Sequence, residues 1–158
     1  MKEPRSDSGF TFVEIMIAVA IIAILALLSW PALERARQST QVAAFANDIR
    51  QFISAVDTYT VQQGQYPPNA LPGEADDKLK EYLPLDFMDR ETPIGGQWDL
   101  DMDGIARVTA AVGVGNLASL DMELIVRIDL AIDDGNIVTG NFRYLPWGGG
   151  RPYWIMEE

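Results

Sequence analysis

The sequence predicts an α+β protein in which a long N-terminal helix, membrane-spanning in its first half, packs by its second half on a small antiparallel sheet. Three observations carry this. An apolar run extends from Phe10 to Trp30 with one ionisable group, Glu14. An amphipathic stripe follows it at helical spacing. After Gly64 the pattern gives way to turn residues and short alternating segments of the kind that build hairpins.

Phe10–Trp30 reads FTFVEIMIAVAIIAILALLSW, which as a helix is long enough to cross a hydrocarbon core of about 30 Å. A secretory signal peptide would have a basic region, a shorter apolar run and a small-x-small cleavage site after it. Here Trp30, Pro31, Ala32, Leu33, Glu34 and Arg35 follow the run, and they offer no such site. Lys2 and Arg5 precede the run and Arg35 and Arg37 follow it, so basic charge alone sets no orientation. Glu14 stands out, because a carboxylate within a membrane helix is costly and needs a partner. The span contains no lysine or arginine to provide one.

Beyond Pro31, the residues Val42, Phe45, Ile49, Phe52, Ile53, Val56 and Tyr59 recur at steps of three and four, which marks a single helical face. Gly64 is a natural stop with Pro67 and Pro68 beyond it. Span and stripe are expected to join into one helix over 10–63, roughly 80 Å long at 1.5 Å per residue, kinked at Pro31 where a backbone donor is missing. The stripe is core. The first half is apolar all round and must lie in lipid or against like helices.

From Pro67 to Gly96 the composition turns to Pro, Gly and charge and reads as a surface loop, with one short helix over 76–83. Residues 97–112 read as a hairpin, QWDLD and IARVTAAV joined by a tight MDG turn. Asp99, Asp101 and Asp103 match the first half of a calcium loop and make calcium the one cofactor the sequence offers. The second half of that loop fails at Ala110, and the alternation with Trp98, Leu100 and Met102 alternatively places the aspartates on the wet face of a strand. Residues 119–132 fit both periods. Helix is preferred, with Ser119 as cap, acids in the first turn and Gly135–Asn136 as the stop, and Asp133–Asp134–Gly135–Asn136 is a second cation candidate. Two last strands are expected at Phe142–Leu145 and Tyr153–Met156, joined by a glycine-rich turn, with Trp147, Tyr153 and Trp154 as core aromatics.

Composition narrows the function. The 158 residues contain neither cysteine nor histidine, which removes disulfides, thiolate metal sites, the usual general base and every Ser-His or Cys-His arrangement. An ordinary enzyme is therefore not expected. The net charge of −11 forms an acidic solvated surface that repels phosphate backbones, so no nucleic-acid partner is expected either.

Gly9-Phe10-Thr11-Phe12-Val13-Glu14, followed by the apolar run and by Pro31 in register, resembles the processing motif of type IV pilins and type II secretion pseudopilins. Gly64-Gln65-Tyr66-Pro67 is similar to the segment that ends the long helix in pseudopilins, and the lack of a cysteine-bounded C-terminal loop also sets the chain nearer to them. The resemblance implies residues 1–9 as leader, 10–30 as transmembrane and assembly helix, 31–63 as its amphipathic continuation and 64–158 as the head. It implies cleavage between Gly9 and Phe10 by a prepilin peptidase, N-methylation of Phe10, and an assembly role for Glu14 and Pro31, with Glu14 meeting the N-terminal amine of a neighbouring subunit. The expected partners are identical or related pilin subunits, the peptidase, the inner-membrane assembly platform and membrane lipid. The chain would sit in the inner membrane with its head on the periplasmic side, then enter a filament. A minor or priming pilin is the alternative within this class, and a membrane-anchored binding domain that never polymerises is the alternative outside it.

Overall fold

The computed structural model describes residues 9–102, 108–146 and 150–158. Helix α1 spans Phe12–Gln63 and is followed by α2 (Asp77–Lys80), β1 (Gln97–Asp101), β2 (Ala110–Gly115), α3 (Met122–Ile132), β3 (Phe142–Leu145) and β4 (Arg151–Glu157). The four strands form one antiparallel sheet in the order β1-β2-β4-β3. The chain has the α+β architecture that its patterning predicts. It divides into two compact units, one ending at Gln38 and the other spanning Ser39–Glu158.

In the second unit, the stripe of α1 is core as expected: Phe45, Ile49, Phe52, Val56 and Tyr59 are all buried. They close over one face of the sheet, meeting Trp98 and Leu100 of β1, Val112 and Val114 of β2 and Phe142 of β3. Trp98 is the hub. Its ring stacks on Phe45 at 5.4 Å and on Phe87 at 5.3 Å, and Phe52 meets it edge-on at 5.7 Å. The helix ends where Gly64 adopts φ +74°, a left-handed conformation that an L side chain resists.

The segment between helix and sheet is not the surface loop its composition suggests. Leu79, Leu83, Phe87 and Met88 are buried in the same core, and Arg90 pairs with buried Asp48 of α1 at 2.9 Å while lying over the Phe87 ring. Apolar residues are interspersed there among Pro and charge with no regular period, so no pattern announces them. The short helix is narrower than 76–83, covering Asp77–Lys80 with Asp76 accepting the Lys78 N–H as N-cap.

Residues 122–132 are helical, which resolves the competition of periods, because Leu124, Ile125 and Ile128 bury one face. The cap is Asp121 rather than Ser119: its carboxylate accepts the N–H groups of Glu123 and Leu124. The hairpin pairs in a later register than expected. Asp101 faces Ala111, so β2 begins at Ala110 and the connection runs from Met102 to Thr109 in place of a tight turn. Most of that connection, with Asp103 and Gly104, lies outside the described residues, as do Trp147 and part of the glycine-rich turn. Strand β3 falls at Phe142–Leu145 as expected, while β4 starts earlier, at Arg151.

Candidate functional site

The backbone at Gly9, Phe10 and Thr11 is non-helical and exposed, and α1 starts at Phe12. A peptide bond outside the helical ladder is free to take the extended form a peptidase requires, and Phe10 is 84% exposed. Residues 1–8, the rest of the expected leader, lie outside the described residues.

Thr11 and Glu14 close a capping box across the first turn. The Thr11 N–H and hydroxyl both donate to Glu14 Oε2 at 2.8 Å, and the Glu14 N–H is directed at Thr11 Oγ1 at 3.3 Å. This corrects the expectation that Glu14 has no partner in its own chain. It has hydrogen-bond donors and no cation. Both bonds go to one oxygen, and among the described residues Oε1 takes none. The Thr-x-x-Glu spacing before an apolar run is the sequence signal for this cap.

From Phe12 to Trp30 every residue is exposed, including Ile22, Leu27, Leu28 and Trp30. Within α1 lies a window long and apolar enough to cross a membrane, none of it buried. The one hydroxyl near its end is satisfied locally, Ser29 Oγ donating to the Leu25 carbonyl at 2.8 Å. That bond is what a polar group needs in lipid. Pro31 lies inside α1, and having no N–H it leaves the Leu27 carbonyl without its helical donor.

The other candidate residues lie in the second unit. Asp99 and Asp101 alternate with Trp98 and Leu100 and so face away from the main core, yet both are buried and not on a wet face. A second, smaller apolar cluster of Val108, Ala111, Leu145, Tyr153 and Ile155 occupies that side. Asp99 Oδ2 accepts a bond from Arg151 at 2.9 Å and another, very short one from the Tyr153 hydroxyl. Burial, followed by the Asp99 contact, pushes the Tyr153 phenol above its ordinary range. Gly113 makes this contact geometrically feasible. It pairs with Asp99 on one side and Tyr153 on the other, and a side chain there would strike the Tyr153 ring and the Pro152 carbonyl.

Residues 4–30 match the family model described as the prokaryotic N-terminal methylation motif. The chain is 36% identical over 63 residues to type II secretion system core protein G of Pseudomonas aeruginosa, which covers 40% of this chain and 44% of that protein. It is 32% identical over 65 residues to the protein of the same name from Aeromonas hydrophila, covering 41% and 46%. The matches thus span less than half the length of these relatives. No solved structure matches the chain. The chain thus carries the prokaryotic N-terminal methylation motif at the start of an exposed apolar helix, and over about two fifths of its length it is similar to type II secretion system core protein G.

Proposed function

We propose that this chain is a filament subunit of a type II secretion pseudopilus, or of a type IV pilus, processed at Gly9–Phe10 by a prepilin peptidase and assembled through α1. The observation that carries the reading is the composite start of α1: an exposed non-helical Gly9–Phe10 bond, a carboxylate at Glu14 with an open oxygen, and an apolar helix with no cover of its own. Such a helix is stable in lipid before assembly and against like helices after it. Glu14 Oε1 accepts a charge-assisted bond from the amine that cleavage creates on a neighbouring subunit, and this contact exists only in the assembled state. The inner-membrane platform and the lipid around Phe12–Trp30 are the partners this sequence of events requires.

Mass spectrometry of the mature N-terminus tests the reading. Cells with the peptidase should yield a chain beginning at methylated Phe10, and cells without it a chain beginning at Met1. An intact Met1 in both would sink the proposal.

A further inference from the structure

Helix α3 buries one face and leaves the opposite one bare. Leu124, Ile125 and Ile128 enter the core, while Met122, Val126 and Leu130 are 40%, 39% and 71% exposed. These three stand four residues apart, so they line one stripe, about 12 Å long at 1.5 Å per residue. Single apolar residues scattered over a surface need no explanation, but a stripe in helical register opposite a buried face does. Exposed Glu123 and Arg127 border it, one turn apart.

A groove on the same unit has matching character. It lies between α1 and the pair Ile132 and Trp154, has a volume of about 330 Å³, and presents Ile49, Ile53, Ile132 and Trp154 as its apolar lining. Arg50 and Ser54 line it too, and they also line a wider groove of about 580 Å³ beside Tyr82, Leu83 and Pro84, so the two adjoin along the exposed face of α1. Charge favours an acidic visitor beside Arg50. Among the described residues Arg50 forms no ion pair and donates to the Ala131 carbonyl, whereas Lys80, Arg90, Arg143 and Arg151 each meet a carboxylate. Asp57 lies about two turns further along α1, so the groove carries both signs, as the stripe does. The chain has a net charge of −11, and copies repel wherever their surfaces are not matched in this way.

We propose that the Met122–Val126–Leu130 stripe of one copy docks in the Ile53–Ile132–Trp154 groove of the next, with Glu123 meeting Arg50 at the rim. The occupant is a second copy because stripe and groove match in length and in charge. The floor from Ile49 to Asp57 is also about 12 Å long, and the one acid beside the stripe meets the one groove base that has no acid of its own. Successive helical residues are about 100° apart, so Leu130 and Ile132 point about 160° from each other. Stripe and groove therefore face different ways. A contact between two different surfaces is heterologous, and it propagates from copy to copy in place of closing as a pair. The inference rests on the filament reading, to which it adds a contact made by the heads. A stable interface buries about 800 Å² per partner, and three partly exposed side chains supply only a fraction of that. They set the register between heads while packing of α1 supplies most of the affinity.

The chain contains no cysteine, so introduced pairs report without background. Ser54→Cys and Val126→Cys, singly and together, are expressed as full chains in the producing cells, and sheared filaments and membranes are treated with a short bis-maleimide. The double variant should run as a ladder of dimers, trimers and higher species, and neither single variant should. In a second arm, Arg50→Glu and Glu123→Arg should each lower incorporation into filaments about fivefold or more, and the two together should return it to within about twofold of wild type. Filaments that contain the double cysteine variant without a ladder overturn the contact and leave the filament reading standing. Dimers with nothing larger, or cross-linking by Val126→Cys alone, overturn it in favour of a closed pair or of stripe against stripe. Where the cysteine variants fail to assemble, the charge exchange decides, and incorporation that stays low in the double exchange overturns the contact. A ladder in membranes without any wild-type filament keeps the contact and sinks the filament reading; neither ladder nor filament sinks both.

Discussion

Replacing Glu14 by glutamine and by alanine, beside Thr11→Ala, separates the helix cap that Glu14 makes with Thr11 from its proposed contact with a neighbouring subunit's amine. Glu14 Oε2 receives two bonds from Thr11, and loss of such a cap costs about 1 kcal/mol. Removing one partner of an ion pair shielded from water costs about 3–5 kcal/mol. Thr11→Ala loses the cap only, which corresponds to roughly a fivefold drop in incorporation. Glu14→Gln keeps an acceptor for Thr11 and loses the charge, predicting a fall of about two to three and a half orders of magnitude. Glu14→Ala loses both and should be lowest. The assay is competition: each tagged variant is co-expressed with the untagged subunit, filaments are sheared off, and the ratio of the two forms is read by mass spectrometry against their ratio in the membrane. Glutamine incorporated at the wild-type ratio would refute the charge argument. Thr11→Ala failing as badly as Glu14→Ala would reduce Glu14 to a helix cap.

Trp98→Ala should cost the head at least about 3–5 kcal/mol, because Trp98 is fully buried and its ring meets three aromatic partners; a urea midpoint near that of wild type would contradict the hub assignment. Gly113→Ala should destabilise by about 1–3 kcal/mol although its φ is not left-handed, since the added methyl strikes the Tyr153 ring and the Pro152 carbonyl; Tyr153→Ala in the same chain should restore part of the loss in thermal unfolding. Folding raises the Tyr153 phenol, and Tyr59 and Tyr66 less so, above the value of an unfolded tyrosine. The folded state therefore holds protons that the unfolded state releases above about pH 10, and the stability these groups lend is present below that pH and lost above it. Tyr153→Phe should flatten the alkaline limb of a stability-against-pH curve, and an unchanged slope would count against the buried Asp99 contact.

Where a residue's role follows from its own neighbourhood, the sequence made it legible. The Phe45–Tyr59 stripe, β3 and the core face of β1 repeat at the period of their element, and burial followed that period. Residues 119–132 satisfied both periods, and the helix is favoured because Asp121 caps it and one apolar face meets the core. Buried positions among 79–88 obey no period because that segment folds back in turns, so its apolar side chains are gathered by tertiary contact alone. Asp99 illustrates a further limit. Alternation placed it on the correct face, but its burial depends on Arg151 and Tyr153, more than fifty residues away. At the start of α1, register identified Glu14, while its partner Thr11 required a capping rule in addition to a charge count.

Strand β2 reads AAVGVG, a sequence with two glycines and little β-forming character. On one face its small side chains give little to tell one alignment from the next. Tyr153 crosses over Gly113 to reach Asp99, so β4 and β1 are joined directly above a strand that separates them. A slip of β2 by one residue would bring the isopropyl group of Val112 or Val114 beneath that crossing. The strand least able to specify its own alignment is thus held by a clasp between its neighbours, and substitutions at positions 99 and 153 should disturb the pairing of β2 more than conservative changes at Ala110 or Ala111.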